Sequence, residues 1–290
     1  MARQGIMLAN KITDRLIQQL GDEYIVQPKL NGLRGWTKWP PPQHTDISPD
    51  LISSGGNKLM FFEYIEEELL RLGLETGLFK QWDGEIYEHG MAVEDIHSIA
   101  RRTVNRKEGK LSYYIFDIKS AEVQAGRIVH LIHLDEFIRR LNLQHIKVVP
   151  SFLCRGDKWK MYLKDFLDRD YEGIIFRDIR GQYVERKCNQ LLKYKATEKK
   201  PYRILRILQG EGWCYDRAGS ILVFSESSGE FAVGSGRILT KDGRLDIWEK
   251  RADLQGKTLI VRHEKEVTQT NQGKPRGCNA WEIEGVKINY

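Results

Sequence analysis

A change of texture near residue 200 limits the architectures open to this chain. Up to Lys199, strand-like and helix-like segments alternate. Past Glu198-Lys-Lys-Pro201, short β-branched and aromatic runs dominate, separated by glycine-rich turns such as Gly234-Ser235-Gly236. A charged stretch ending in proline suits a linker, so two domains are expected, 1–199 and 200–290. The first reads as α+β. Apolar spacing predicts helices over 11–20, 59–72, 133–143 and 160–169. Strands are predicted over 23–26, 35–39, 82–87, 111–118, 173–177 and 190–195. Pro40-Pro41-Pro42 stops the second of these and opens a loop to Lys58. The second part has predicted strands over 202–209, 220–225, 230–233 and 257–263 and one helix over 244–251. Several short strands with regular turns predict a small barrel, an OB-fold first in line.

Composition excludes several classes. No apolar run is long enough to span a bilayer, and Met1-Ala2-Arg3-Gln4-Gly5 does not open a secretory signal. The four cysteines are scattered without a Cys-x-x-Cys pair, which argues against a zinc site or a disulfide framework and for a reducing compartment. The net charge of +6 is spread over both parts with no basic tail. Its sign favours a polyanionic partner, but it fits an ordinary solvated surface equally well.

Gln27-Pro28-Lys29-Leu30-Asn31-Gly32-Leu33-Arg34 follows the strand Glu23-Tyr24-Ile25-Val26. A lysine stands just past the strand end, Asn31-Gly32 signals a turn, and an arginine closes it. Taken alone, this is a hairpin turn with two solvated cations. Chemistry would require neighbouring cations or burial to lower the lysine pKa.

The stretches that follow make chemistry the better reading. Lys29-Leu-Asn-Gly-Leu-Arg34 resembles the Lys-x-Asp-Gly-x-Arg motif of ATP-dependent DNA ligases and related covalent nucleotidyltransferases. Asp83-Gly-Glu85, Tyr113-Tyr-Ile-Phe-Asp117, Glu172-Gly-Ile-Ile175 and Leu192-Lys-Tyr-Lys195 resemble the next four signatures, in the family order. Phe231-Ala-Val-Gly-Ser-Gly236 is similar to part of the ligase OB module. Each tetrapeptide alone is a weak match; five in order are not a coincidence.

The resemblance implies an ATP-grasp-like nucleotidyltransferase domain with antiparallel sheets and flanking helices, followed by an OB-fold β-barrel. It implies ATP with Mg²⁺ or Mn²⁺, and nicked double-stranded DNA as partner. It further implies a monomer in the cytoplasm, at the nucleoid or a viral replication site, without membrane attachment. Lys29 would be the nucleophile that takes AMP. Gln27 would read the adenine edge, Arg34 the sugar or a phosphate, and Phe116 would stack on the base. Glu85 would meet the ribose or the metal, and Glu172 the metal. Lys193 and Lys195, alternating on one strand, would neutralise the α-phosphate. Arg203, Arg206, Arg237, Lys241, Lys257, Arg262, Lys274 and Arg276 are cations available for backbone phosphates.

Three departures stand out. Asn31 replaces the usual aspartate, Ser53-Ser54-Gly55-Gly56 lacks the arginine of the family's next element, and no C-terminal Arg-x-Asp-Lys is recognisable around Trp281–Lys287. No further DNA-binding domain is expected before the catalytic one. The rival readings are an RNA ligase, an mRNA-capping guanylyltransferase and a non-catalytic nucleic-acid-binding protein. A NAD-dependent ligase is disfavoured for want of zinc-binding cysteines.

Overall fold

The computed structural model describes residues 5–41, 43–45, 47–101, 109–227, 229–264 and 275–290. The expectations for Pro42 and Lys274 fall outside them. Two compact units meet in the chain between Tyr194 and Lys195.

The first unit runs β1 (Leu8–Lys11), α1 (Asp14–Gln19), β2 (Glu23–Lys29), β3 (Leu33–Lys38), β4 (Asp50–Ser53), α2 (Glu63–Thr76), β5 (Trp82–Tyr87) and α3 (Val93–Arg101). It continues β6 (Ser112–Ile118), α4 (Gln124–Leu141), β7 (Ile146–Val148), β8 (Phe152–Arg155), α5 (Trp159–Asp168), β9 (Gly173–Asp178) and β10 (Lys187–Lys195). Its strands form two sheets, ordered β1-β10-β9-β2-β8 and β4-β3-β5-β6-β7. β2 and β3 therefore lie in different sheets. The Asn31-Gly32 turn is not a hairpin: it carries the chain from one sheet to the other immediately after Lys29.

Strand alternation separates core from cleft. Tyr24, Val26, Ile174, Phe176 and Leu192 pack with Leu20 and Phe166 into one core, with α5 against β2 and β9. Gln27, Lys29, Arg177 and Lys193, at alternate positions, lie on the opposite face of that sheet. The other sheet buries Trp82, Ile86, Tyr113 and Ile115 with Leu69 and Leu72 of α2 and Leu131, Leu134 and Ile138 of α4. Asp83 and Glu85 alternate with Trp82 and Ile86, on the opposite side. Burial of each large apolar side chain contributes about 1.5–3 kcal/mol. The polar faces of the two sheets are left to meet each other.

Several elements depart from the sequence expectations for identifiable reasons. α2 begins at Glu63 because Phe61 adopts a left-handed backbone (φ 74°) that a helix cannot include. α4 begins nine residues before the expected 133. Its first turns bury Gln124 and Arg127 while Val129 and Ile132 are 49% and 55% exposed, so the apolar stripe is inverted there. β4 lies inside the expected loop, and β1, α3, β7 and β8 had no predicted counterpart.

The second unit contains β11 (Thr197–Gln209), β12 (Ala218–Ser225), β13 (Gly229–Val233), α6 (Lys241–Glu249), α7 (Arg251–Leu254), β14 (Thr258–Glu264) and β15 (Asn279–Ile283). The antiparallel sheet order is β13-β12-β11-β14-β15. Thr240 caps α6 by accepting from Gly243 N at 3.1 Å. A single bridge, Gly236 to Ala280, joins the segment after β13 to β15, and no closed barrel is found among the described residues. β11 passes straight through Pro201. Before Arg203 it pairs only with β14, so the missing proline N–H has no second ladder to interrupt.

Candidate active site

Lys29 ends β2 opposite Gly173 of β9. Glu172 precedes that glycine, and its N–H donates to Lys29 O at 3.1 Å. This backbone tie brings the two side chains together. Lys29 Nζ hydrogen-bonds Glu172 Oε2 and also donates to Leu30 O at 2.9 Å. The Lys29 and Glu172 side chains are 17% and 7% exposed.

The turn after Lys29 is held down from the other sheet. Gly32 N donates to Glu85 Oε1 at 2.8 Å. A Cβ at Gly32 would lie 2.3 Å from Ile86 O, so only glycine permits this approach. Burial pushes the Glu85 carboxyl above its ordinary range. Lys29, the Gly32 N–H and Arg34 pull it partly back, and Glu172 adds to the rise. Glu85 thus senses both partners of the Lys29–Glu172 pair.

Arg34, opposite Glu85 on β3, forms a two-pronged pair with Asp83, Nε to Oδ1 at 2.7 Å and Nη2 to Oδ2 at 2.6 Å. Burial opposes the Arg34 charge, but Asp83 outweighs it and the net shift is upward. Tyr183 also donates to Asp83 Oδ2, at 2.6 Å, and accepts from Met7 N at 3.1 Å. Phe116 is the extra residue of a β-bulge: Asp83 faces Asp117 and Gly84 faces Ile115, leaving it without a β5 partner. A bulge re-aims a side chain. Here the Phe116 ring lies between the guanidiniums of Arg34 (4.4 Å) and Arg177 (5.3 Å).

A buried polar network lies behind this pocket. Gln27 Nε2 donates to Phe116 O (3.0 Å) and Ser151 Oγ (2.8 Å), and its Oε1 accepts from Arg177 Nε (2.7 Å). Both donors and the acceptor of the Gln27 amide are thus engaged within the protein. Arg177 Nη1 donates to Asp117, which also accepts from Arg127 Nε (2.7 Å) and Ile118 N (2.9 Å). Burial holds the Arg177 guanidinium below its ordinary range, and Asp117 offsets part of that.

Gln27, Phe116 and Arg34 are therefore joined by direct contacts across the two sheets, Glu85 pairs opposite Arg34 and holds the Gly32 N–H, and the Lys29–Glu172 pair lies near enough to Glu85 to shift its titration. Lys193 shares the sheet face of Gln27 and Lys29. Lys195 falls in the second unit, where its ammonium binds Glu264 Oε2 at 3.0 Å. Sequence reasoning missed Met7, Arg127, Arg177 and Tyr183, and took Asp117 only as the end of a motif. The one available signal was the pair of charged residues, Arg177 and Asp117, in otherwise apolar strands.

No family model matches the chain. A DNA ligase of Haemophilus influenzae is 22% identical over 282 residues, spanning 97% of this chain and 92% of that one. A structure described as a minimal-scaffold Lig E DNA ligase superposes with a TM-score of 0.70 at 21% identity, covering 97% of this chain and 99% of its own. The ATP-dependent DNA ligase of bacteriophage T7, in complex with ATP, superposes with a TM-score of 0.57 at 13% identity, covering 96% and 98%. The superpositions establish the nucleotidyltransferase fold as mixed α+β with antiparallel sheets. Five ordered signatures and a likeness running nearly end to end with a curated ligase make the chain similar to ATP-dependent DNA ligases.

Proposed function

We propose that this chain seals nicks in duplex DNA with ATP, carrying AMP on Lys29 between the first and second of three phosphoryl transfers. The observation that carries this reading is the contact between Lys29 and Glu172 where the chain crosses between sheets, with Glu85 and the Arg34–Asp83 pair around it. An ammonium must shed a proton before it attacks, and the touching Glu172 carboxylate is the base at hand. This gives an acid to the site although position 31 is asparagine. The amine bonds to the α-phosphorus, the bond to the bridging oxygen breaks, and pyrophosphate leaves with the electron pair. AMP then passes to the 5′-phosphate of the nick, and the 3′-hydroxyl displaces it. Positioning and charge neutralisation supply most of the rate.

In this reading Arg34 and Glu85 meet the ribose, Phe116 stacks on adenine and Lys193 and Lys195 neutralise phosphate. Gln27 acts through its amide, which must exchange a protein partner for the base edge. Glu85 and Glu172 suit a hard cation: both offer carboxylate oxygens, and they are close enough that one raises the other's affinity for a proton. Among the described residues no three His, Cys, Asp or Glu side chains form a metal cluster. Mg²⁺ needs no such cage, since one or two carboxylates and the substrate phosphates hold it. When bound it neutralises phosphate charge.

The second unit is proposed as the OB-type DNA-binding module of a monomeric enzyme. Its five-stranded antiparallel sheet and the Gly236–Ala280 bridge support this. So does Trp281, which carries Lys199, Arg237 and Arg262 within 4.1, 5.3 and 4.7 Å of its ring. Among the described residues no helix is long and apolar enough to cross a membrane. The test is a nicked duplex bearing a 5′-phosphate, incubated with ATP and Mg²⁺. A full-length sealed strand is expected. Sealing confined to RNA, or use of GTP in place of ATP, would contradict the proposal.

A further inference from the structure

The edge of the first sheet carries a groove of which the chemistry proposed at Lys29 uses only Lys193. β1 and β10 pair in parallel, Leu8 with Lys187 and Ala9 with Cys188, but the next partners are Asn10 with Leu192 and Lys11 with Lys193. Residues 189–191 of β10 are skipped, and the ladder opens. A groove of about 630 Å³ lies there, and its lining includes Lys11, Lys187, Lys193, Asn10, Asn189 and Leu16. Among the described residues its lining contains three cations and no carboxylate. Asn10 Nδ2 donates to Asn189 Oδ1 at 2.6 Å, fixing one amide on each strand. Lys11 and Lys187 are exposed, and neither has a carboxylate in ion-pair distance among the described residues.

Resting on the proposed function, we infer that this groove is a phosphate track for the backbone of the nicked duplex, with Lys11 and Lys187 as contact residues. Lys11 and Lys187 are like charges with no carboxylate in ion-pair distance among the described residues, and a polyanion relieves their repulsion. On β1, Leu8 and Lys11 are three residues apart. The partner Lys187 therefore lies roughly 10 Å along the strand from Lys11 and Lys193. That spread exceeds one phosphate group and suits successive backbone phosphates. The groove is open and its outer lysines are solvated, which fits a strand running past it. Lys193 links the track to the sheet face that bears Lys29.

Neutralising a phosphate contact lowers the dependence of DNA affinity on salt by about 0.9 in the log–log slope. The test compares wild type with Lys11→Gln/Lys187→Gln and Lys11→Arg/Lys187→Arg full-length variants. Two readouts are taken: binding of nicked duplex across a salt series, and labelling of the protein from ATP alone. The double glutamine variant is expected to lose about 1.8 from the slope, two contacts at about 0.9 each. The arginine variant should keep the wild-type slope, and all three should take label from ATP alike. An unchanged slope in the glutamine variant overturns the track. A loss of ATP labelling with an unchanged slope overturns it too, and assigns the groove to nucleotide phosphates. The salt slope does not depend on labelling, so a wild type that binds DNA but never takes label counts against the ligase reading and leaves the slope to judge the groove.

Discussion

Replacing Asp117 by asparagine probes whether the pocket is held from behind. The Asp117 side chain is fully buried between Arg127 and Arg177, whose own side chains are 0% and 4% exposed. Asparagine keeps the shape and keeps one oxygen for Ile118 N and Arg127 Nε. Its amide nitrogen would then face Arg177 Nη1, donor against donor. Two buried guanidiniums would be left without their common counter-charge. Breaking a buried ion pair from one side costs about 3–5 kcal/mol. With an m-value of about 2 kcal/mol/M in urea, this lowers the unfolding midpoint by about 1.5–2.5 M. Arg177 also anchors Gln27 and backs Phe116, so nucleotide use should suffer beyond the stability loss. Equilibrium urea unfolding followed by tryptophan fluorescence reads the first effect, and the apparent affinity for ATP in the labelling reaction reads the second. Adding Arg177→Met to Asp117→Asn should cost less than the two single changes summed, because the orphaned charge goes with it. A midpoint shift under about 0.5 M, or strict additivity, would refute the argument.

Other consequences are equally direct. Glu85 has a raised folded-state pKa, so its contribution to stability is present below the usual carboxyl range near 4.5 and is lost as pH rises through the raised value. Glu85→Gln should therefore match wild type in thermal midpoint near pH 4 and exceed it near pH 7 while losing adenylation; a variant less stable at pH 7 contradicts this. Gly32→Ala should cost about 1–3 kcal/mol through its clash with Ile86 O and slow labelling of Lys29, with a thermal scan and a time course as the checks. Trp281→Ala should weaken binding of nicked duplex while leaving ATP labelling intact; equal DNA affinity would remove Trp281 from the proposed binding face.

How much of this was legible in the sequence depends on the length scale of each interaction. The five signatures were legible because each is local: a strand end, a turn, a few alternating residues. Strand alternation alone put Asp83 with Glu85 on one face, and the contacts of both sides of that face bear out the pairing. The crossing at Asn31-Gly32 was not legible as such, since a turn signal does not say whether the flanking strands pair. The Asp117–Arg127–Arg177 network was hidden because its members lie up to 60 residues apart and look like interruptions in apolar elements. The same burial of polar groups concealed the first half of α4. β1 escaped because its partner β10 lies some 180 residues away, and nothing local distinguishes four residues at a sheet edge.

The proposed function requires that one amine, on Lys29, become bonded to AMP. The protein incubated with Mg²⁺ and ATP labelled at the α-phosphate should carry label through a denaturing gel, and the mapped peptide should bear one adenylate on Lys29, absent in Lys29→Ala. Label on any other residue, or its persistence in Lys29→Ala, would contradict the account.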